Sequence, residues 1–148
     1  ADEFKRIYAC RYYYDETHTA TWPAQVVNYT AKTQYIFRIN KQVLDVNDDA
    51  DLNKYVPKTE RPIPFERMIY IADGLTDVPC MRLVKEYGGK SIAVYSSNDA
   101  VAKSLKDVGR VNYIAKADYS SGSEMEQIVQ SILDHMKADE VLKKYEEK

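Results

Sequence analysis

Apolar residues fall along this chain in short runs whose period changes several times. Residues 68–71, MIYI, form a compact apolar run that predicts a strand buried on both faces. The run stops at Ala72-Asp73-Gly74, so Asp73 falls at the carboxyl end of the strand and Gly74 permits a tight turn. Asp77 follows just before Pro79, in the pattern of a helix cap and first turn. Cys80, Leu83, Val84 and Tyr87 then recur at helical spacing, and Gly88-Gly89 stops that helix. Residues 91–95, SIAVY, predict the next strand. Asn98-Asp99 caps a helix with Val101, Leu105 and Val108 inside, closed by Gly109. A third strand is expected over 111–115. Ser123 and Glu126 form a capping box for a long helix with Met125, Ile128, Val129, Ile132 and Met136 on its inner face. The tail from Asp139 is dense in charge and reads as a solvated helix end. Strand and helix alternating in this way give an α/β fold with a Rossmann-like parallel sheet and flanking helices.

The N-terminal part follows another rhythm. Residues 4–10 end in IYAC, a short strand. Residues 12–14 and 19–22 flank a polar DETH and predict a β-hairpin. Tyr12, Tyr13, Tyr14 and Trp22 are expected to cover one face of a sheet. Thr30 is placed to cap a helix, which puts Lys32 in its first turn ahead of Tyr35, Ile36 and Ile39. A lysine there opposes the helix dipole by about 0.3–1 kcal/mol. Residues 43–64 read as a connector. Its DVNDDADLN resembles a calcium loop, but it lacks the glycine at the sixth position and has Val56 where the closing glutamate belongs. It is expected to be a solvated acidic loop, followed by Pro57, Pro62 and Pro64, which interrupt regular structure.

Composition narrows the classes. At 148 residues, 45% hydrophobic and 30% charged, the chain reads as a single folded domain over 1–148. A net charge of −2 gives no electrostatic case for nucleic acid or an anionic membrane surface. No apolar stretch reaches membrane-spanning length and the first residues lack a signal-peptide layout. Cys10 and Cys80 have no metal-type spacing and are expected to be reduced core thiols of a cytoplasmic protein. His18 and His135 share no metal spacing either.

The chemistry therefore concentrates at Asp73 and Asp77. Two carboxylates so close favour a cation between them. Mg²⁺, which takes one or two carboxylates plus water and phosphate oxygens, is the expected cofactor. The plainer alternative is a turn residue at Asp73 and a helix cap at Asp77. The stretch ADGLTD resembles the fourth motif of the haloacid dehalogenase superfamily of phosphohydrolases, G-D-x-x-x-D after a strand, with Ala72 where glycine is usual. The likeness continues through VPCMRLVKEYGGKSIAVY. The resemblance implies a Mg²⁺-dependent phosphatase acting on a small phosphorylated metabolite through an aspartyl-phosphate. It makes Asp73 a metal ligand and gives Asp77 an assisting role, through water or by holding a lysine. Lys32 is the best match to the family's third motif, and Lys41, at the far end of the same helix, is the second candidate.

The same resemblance implies residues that are not found here. The family's D-x-D nucleophile motif follows an apolar strand, whereas Asp49-Ala50-Asp51 lies in the acidic connector. The phosphate-holding Ser or Thr motif is not found either, so the 148 residues are expected to correspond to the C-terminal part of the core and to be inactive alone. Residues 10–32 can hold a hairpin but not a domain-sized substrate cap. In the family's strand order, residues 7–10 would be the third strand and 68–71 the fourth, with two strands between them missing. The 68–71 strand would then present an open edge to a second copy of the chain or to an upstream segment. The alternative function is a non-catalytic binding or regulatory module on the same fold. A receiver domain is disfavoured, although Lys116 follows a late strand, because the acidic residues come in the wrong order.

Overall fold

The structure is a computed structural model that describes residues 3–146. The chain divides into two compact units, one ending at Ile63 and the other starting at Pro64.

The first unit opens with an antiparallel hairpin of β1 (Arg11–Tyr14) and β2 (Ala20–Gln25), as the turn residues predict. Asp15 builds the turn. Its Oδ1 accepts from the Thr17 amide, the Thr17 hydroxyl and the Thr19 amide at 2.6–3.0 Å. Tyr13 pairs with Trp22 across the strands, but these aromatics cover no sheet, and Trp22 is 70% exposed. A two-stranded ribbon has no second layer of its own to bury them. Residues 6–10 are not a strand, and Ile7 and Cys10 are exposed. Among the described residues no strand pairs with them, and an extended segment without a ladder partner gains nothing over solvation. Cys10 is thus not a core thiol; its sulfur accepts from the Val27 amide.

The helix α1 (Lys32–Lys41) begins where expected, but Thr30 does not cap it. Ala31 takes the cap position without a side-chain bond, and Asn28 Oδ1 accepts from the Ala31 amide and the Thr30 hydroxyl. The acidic connector is not merely solvated. Arg38, 1% exposed, extends from α1 into residues 45–49. Its guanidinium donates to the carbonyls of Asp45, Val46 and Asp48 and to Asp49 Oδ1 at 2.6–3.0 Å. That loop leads into the short helix α2 (Asp49–Asn53), capped by the Asp48 carboxylate. Lys41 closes its far end by donating to the carbonyls of Leu52 and Lys54.

The second unit is the α/β part. Three parallel strands, β3 (Ile69–Ala72), β4 (Lys90–Tyr95) and β5 (Tyr113–Lys116), lie in that order. Helices α3 (Val78–Glu86) and α4 (Ala100–Asp107) cover one face, where Val78, Met81, Ala102 and Leu105 pack on Ala93. Helix α5 (Glu124–Glu146) covers the other, with Met125 and Ile132 against Ile92, Val94 and Ala115. Each of the larger of these side chains, valine, leucine, isoleucine or methionine, contributes about 1.5–3 kcal/mol when fully buried. Ser123 Oγ accepts from the Glu126 amide at the start of α5, one half of the expected capping box, while the Glu126 carboxylate accepts from the Gly122 amide rather than from that of Ser123. No described helix is long and apolar enough to cross a membrane.

Two expectations about the core change here. The strand over 69–72 is not buried on both faces, because it is the edge of this sheet, and Ile71 is 40% exposed. The central strand is β4, whose residues Ser91 to Val94 are all buried. In α4 the buried residues are Ala102 and Leu105, whereas Val101 and Val108 are exposed. Leu105 is inside as expected, but the buried face is shared with Ala102 rather than with Val101 and Val108. Gly89 is fixed by space: a Cβ there would lie 2.5 Å from the Phe65 carbonyl oxygen and from Val84 Cγ1.

Candidate functional site

The carboxyl end of β3 places the site. Strand alternation points Tyr70 and Ala72 toward the α3 face and Ile69 toward α5. Asp73 is the first residue beyond the strand and is exposed. A short 3-10 turn, Leu75–Asp77, carries the chain into α3, closed by the Asp77 amide donating to the Gly74 carbonyl at 3.1 Å. Pro79 lies in the first turn of α3, as expected.

Asp77 stands at the cap position of α3 but makes no capping side-chain bond. Its carboxylate is buried, and its Oδ1 accepts from the Tyr70 hydroxyl at 2.7 Å. The plain reading of Asp77 as a helix cap is therefore replaced. The second residue of the helix is Pro79, which has no amide hydrogen to offer a cap, and the Tyr70 hydroxyl is a donor within reach of the buried carboxylate. Burial pushes the Tyr70 phenol far above its usual range, and the hydrogen bonds to Asp77 and Cys80 push it the same way, so it remains a donor. Asp77 Oδ2 faces Gly74, 3.4 Å from where a Cβ on that residue would lie. Gly74 has extended dihedrals, φ −118° and ψ 155°, so it is not needed for a left-handed turn.

Asp73 and Asp77 thus occupy one turn of one unit, the first outward and the second buried. Lys32 is the first residue of α1 in the other unit and is half-buried. Lys41 is engaged by the two α2 carbonyls described above. Among the described residues no three His, Cys, Asp or Glu side chains converge as a metal cage. The hard oxygens of the 73–77 turn suit Mg²⁺, which needs no such cage because it retains water and takes one or two carboxylates. Neither cysteine is in a disulfide, and Cys80 is buried as expected. Asp49 and Asp51 lie on α2 rather than at a strand end, and Asp49 is bound to Arg38. A groove lined by Lys90, Tyr113, Glu124 and His135 lies where β4 and β5 begin, at the opposite end of the sheet from Asp73.

Tyr70 is the residue that sequence reasoning missed. The available signal was its phase. It precedes Asp73 by three positions on a strand, so it projects to the side where the following helix packs.

No protein-family model matches the chain, and no solved structure matches it. It is 37% identical over 102 residues to an uncharacterized protein of Borreliella burgdorferi, an alignment covering 67% of this chain and 34% of that protein. The matched stretch spans about a third of the length of this relative, whose printed name carries no activity.

Proposed function

We propose that the chain is the C-terminal part of the catalytic core of a haloacid dehalogenase-type phosphohydrolase that acts on a small phosphorylated metabolite. The observation that carries this is the 73–77 turn. An exposed carboxylate stands at the carboxyl end of a parallel strand, and a second, hydrogen-bonded carboxylate is buried one turn later. In open α/β sheets that end of the strands is where ligands bind.

In this reading Asp73 would hold Mg²⁺ and Asp77 would assist it. The bound ion would supply charge neutralisation at a phosphate. Lys32 offsets the negative charge of the nucleophile and phosphate. An aspartate outside these residues attacks phosphorus, expels the alcohol, and the resulting acyl phosphate is cleaved by water.

Magnesium titration of the chain and of Asp73→Asn tests the assignment. One or two carboxylates without the nucleophile's should bind on the order of millimolar, and the variant should not bind. Micromolar binding, or equal binding by the variant, overturns the role of Asp73. The chain should also show no Mg²⁺-dependent hydrolysis of an aryl phosphate above background, since loss of a nucleophile costs several powers of ten. Robust turnover abolished by Asp73→Asn would place the nucleophile within these residues.

A further inference from the structure

We infer that the groove between α5 and the beginnings of β4 and β5 is a small-molecule site of its own, built for an amphipathic monocarboxylic acid whose carboxylate pairs with Lys90. The sequence pattern places its walls. Lys90 shares the parity of Ile92 and Val94, so strand alternation turns it to the α5 face. Tyr113 pairs with Ile92 in the sheet register and shares the parity of Ala115, so it projects to the same face. Helix α5 follows β5 and runs back along the sheet. An ion pair of its Glu140 with Arg67, at 3.2 Å, marks its arrival at the strand beginnings. Glu124, Ile128, Ile132 and His135 recur along one stripe of that helix and close a groove of about 450 Å³.

Charge and burial select the ligand. Lys90 is half-buried, and no described residue gives its ammonium an ion pair or a hydrogen bond. A cation held against aliphatic side chains loses hydration without regaining a partner, and an anion entering the groove relieves that cost. The neighbouring cations are engaged: Lys106 donates to the Asn112 carbonyl, and His135 lies 3.5 Å from Asp139. The Tyr113 hydroxyl has no hydrogen-bond partner among the described residues and can donate to the same anion. Ile128 and Ile132 offer an apolar bed for the rest of the ligand. Glu124 stands in the same groove, about three helical turns from His135, and its charge opposes a second anionic group. One carboxylate on an apolar body meets these conditions better than a phosphate ester or a dicarboxylate. The groove lies at the opposite end of the sheet from Asp73, so this site stands or falls independently of the metal reading.

Amide chemical-shift titration of the ¹⁵N-labelled chain with sodium hexanoate tests this. Hexanoate should shift the amides around 90, 113 and 128–135 saturably, with a dissociation constant on the order of millimolar, as suits so small a ligand. Hexanol, hexylammonium and inorganic phosphate should each bind there at least about tenfold more weakly, since each lacks the charge or the apolar body. Lys90→Met keeps the aliphatic stem and removes the charge, so it should weaken hexanoate by about tenfold or more. Lys90→Glu should transfer the preference to hexylammonium. Hexanoate shifts that do not saturate, or that spread over other regions, overturn the site. Equal binding of hexanol, or equal binding of hexanoate by Lys90→Met, overturns the pairing of Lys90 with a carboxylate. Tighter binding of phosphate than of hexanoate overturns the ligand class. The hexanol comparison reads the need for charge in the wild-type chain, so the test holds whether or not a variant folds.

Discussion

In the acidic turn at 45–49 the chain supplies its own cation; in the acidic turn at 73–77 it supplies a phenol. Arg38 fills the first with a buried guanidinium bound to three carbonyls and the Asp49 carboxylate. The carbonyls that would have faced an ion are already taken. In the second turn Tyr70 holds Asp77 by a neutral donor, and Asp73 points outward without an ion pair in its own unit. The letters of the first turn are the more acidic, yet it is the poorer candidate for a metal. In the first turn a guanidinium fills the loop, and in the second a phenol bonds to the buried carboxylate.

The contrast breaks most visibly at Arg38. Arg38→Met leaves buried acceptors unpaired and should cost about 3 kcal/mol. Urea unfolding followed by amide exchange in α1 and the 45–49 loop would show it, and unchanged protection there would mean that the guanidinium does not organise the loop. Tyr70→Phe removes one bond to a buried carboxylate and should cost less, about 1–2 kcal/mol. Thermal melting measures this, and an unchanged midpoint would count against the Tyr70–Asp77 bond.

Asp73→Asn should alter stability by no more than about 0.5 kcal/mol, because the side chain is exposed. Melting should therefore coincide with the wild type while Mg²⁺ binding is lost, the reverse of Arg38→Met. A marked destabilisation would make Asp73 structural. The smallest effect concerns a third acidic turn, around Asp15. Hydrogen bonds from Thr17 and Thr19 hold its pKa below the usual 3.8. A depressed carboxylate stabilises the turn above 3.8 and loses that contribution as pH falls through its lower folded value. The Thr17 and Thr19 amide shifts should move together in that acid range. Movement centred above 3.8 would contradict the turn geometry.

Much of the second unit was legible because its signals are local. Four-residue apolar runs, glycine stops and a proline after an aspartate identify β3, α3 and the carboxylate between them. The hairpin was legible from DETH between two aromatic arms. Less legible was the phase of α4, where the large residues Val101 and Val108 misled and small Ala102 packs inside. Residues 7–10 have the composition of a strand, but composition does not supply the neighbour that a strand needs.

The sequence by itself determined the hairpin turn, the alternation of strands and helices after Pro64, and that Asp73 stands at a strand tip. These depend on backbone preferences and periods within a few residues. Only the tertiary structure decided that Arg38 enters the acidic loop and that Asp77 bonds to Tyr70 instead of capping α3. Those outcomes depend on which groups converge once the layers pack. A charged or polar side chain then takes the partner that leaves the fewest buried groups unsatisfied, and that partner need not be its neighbour in sequence.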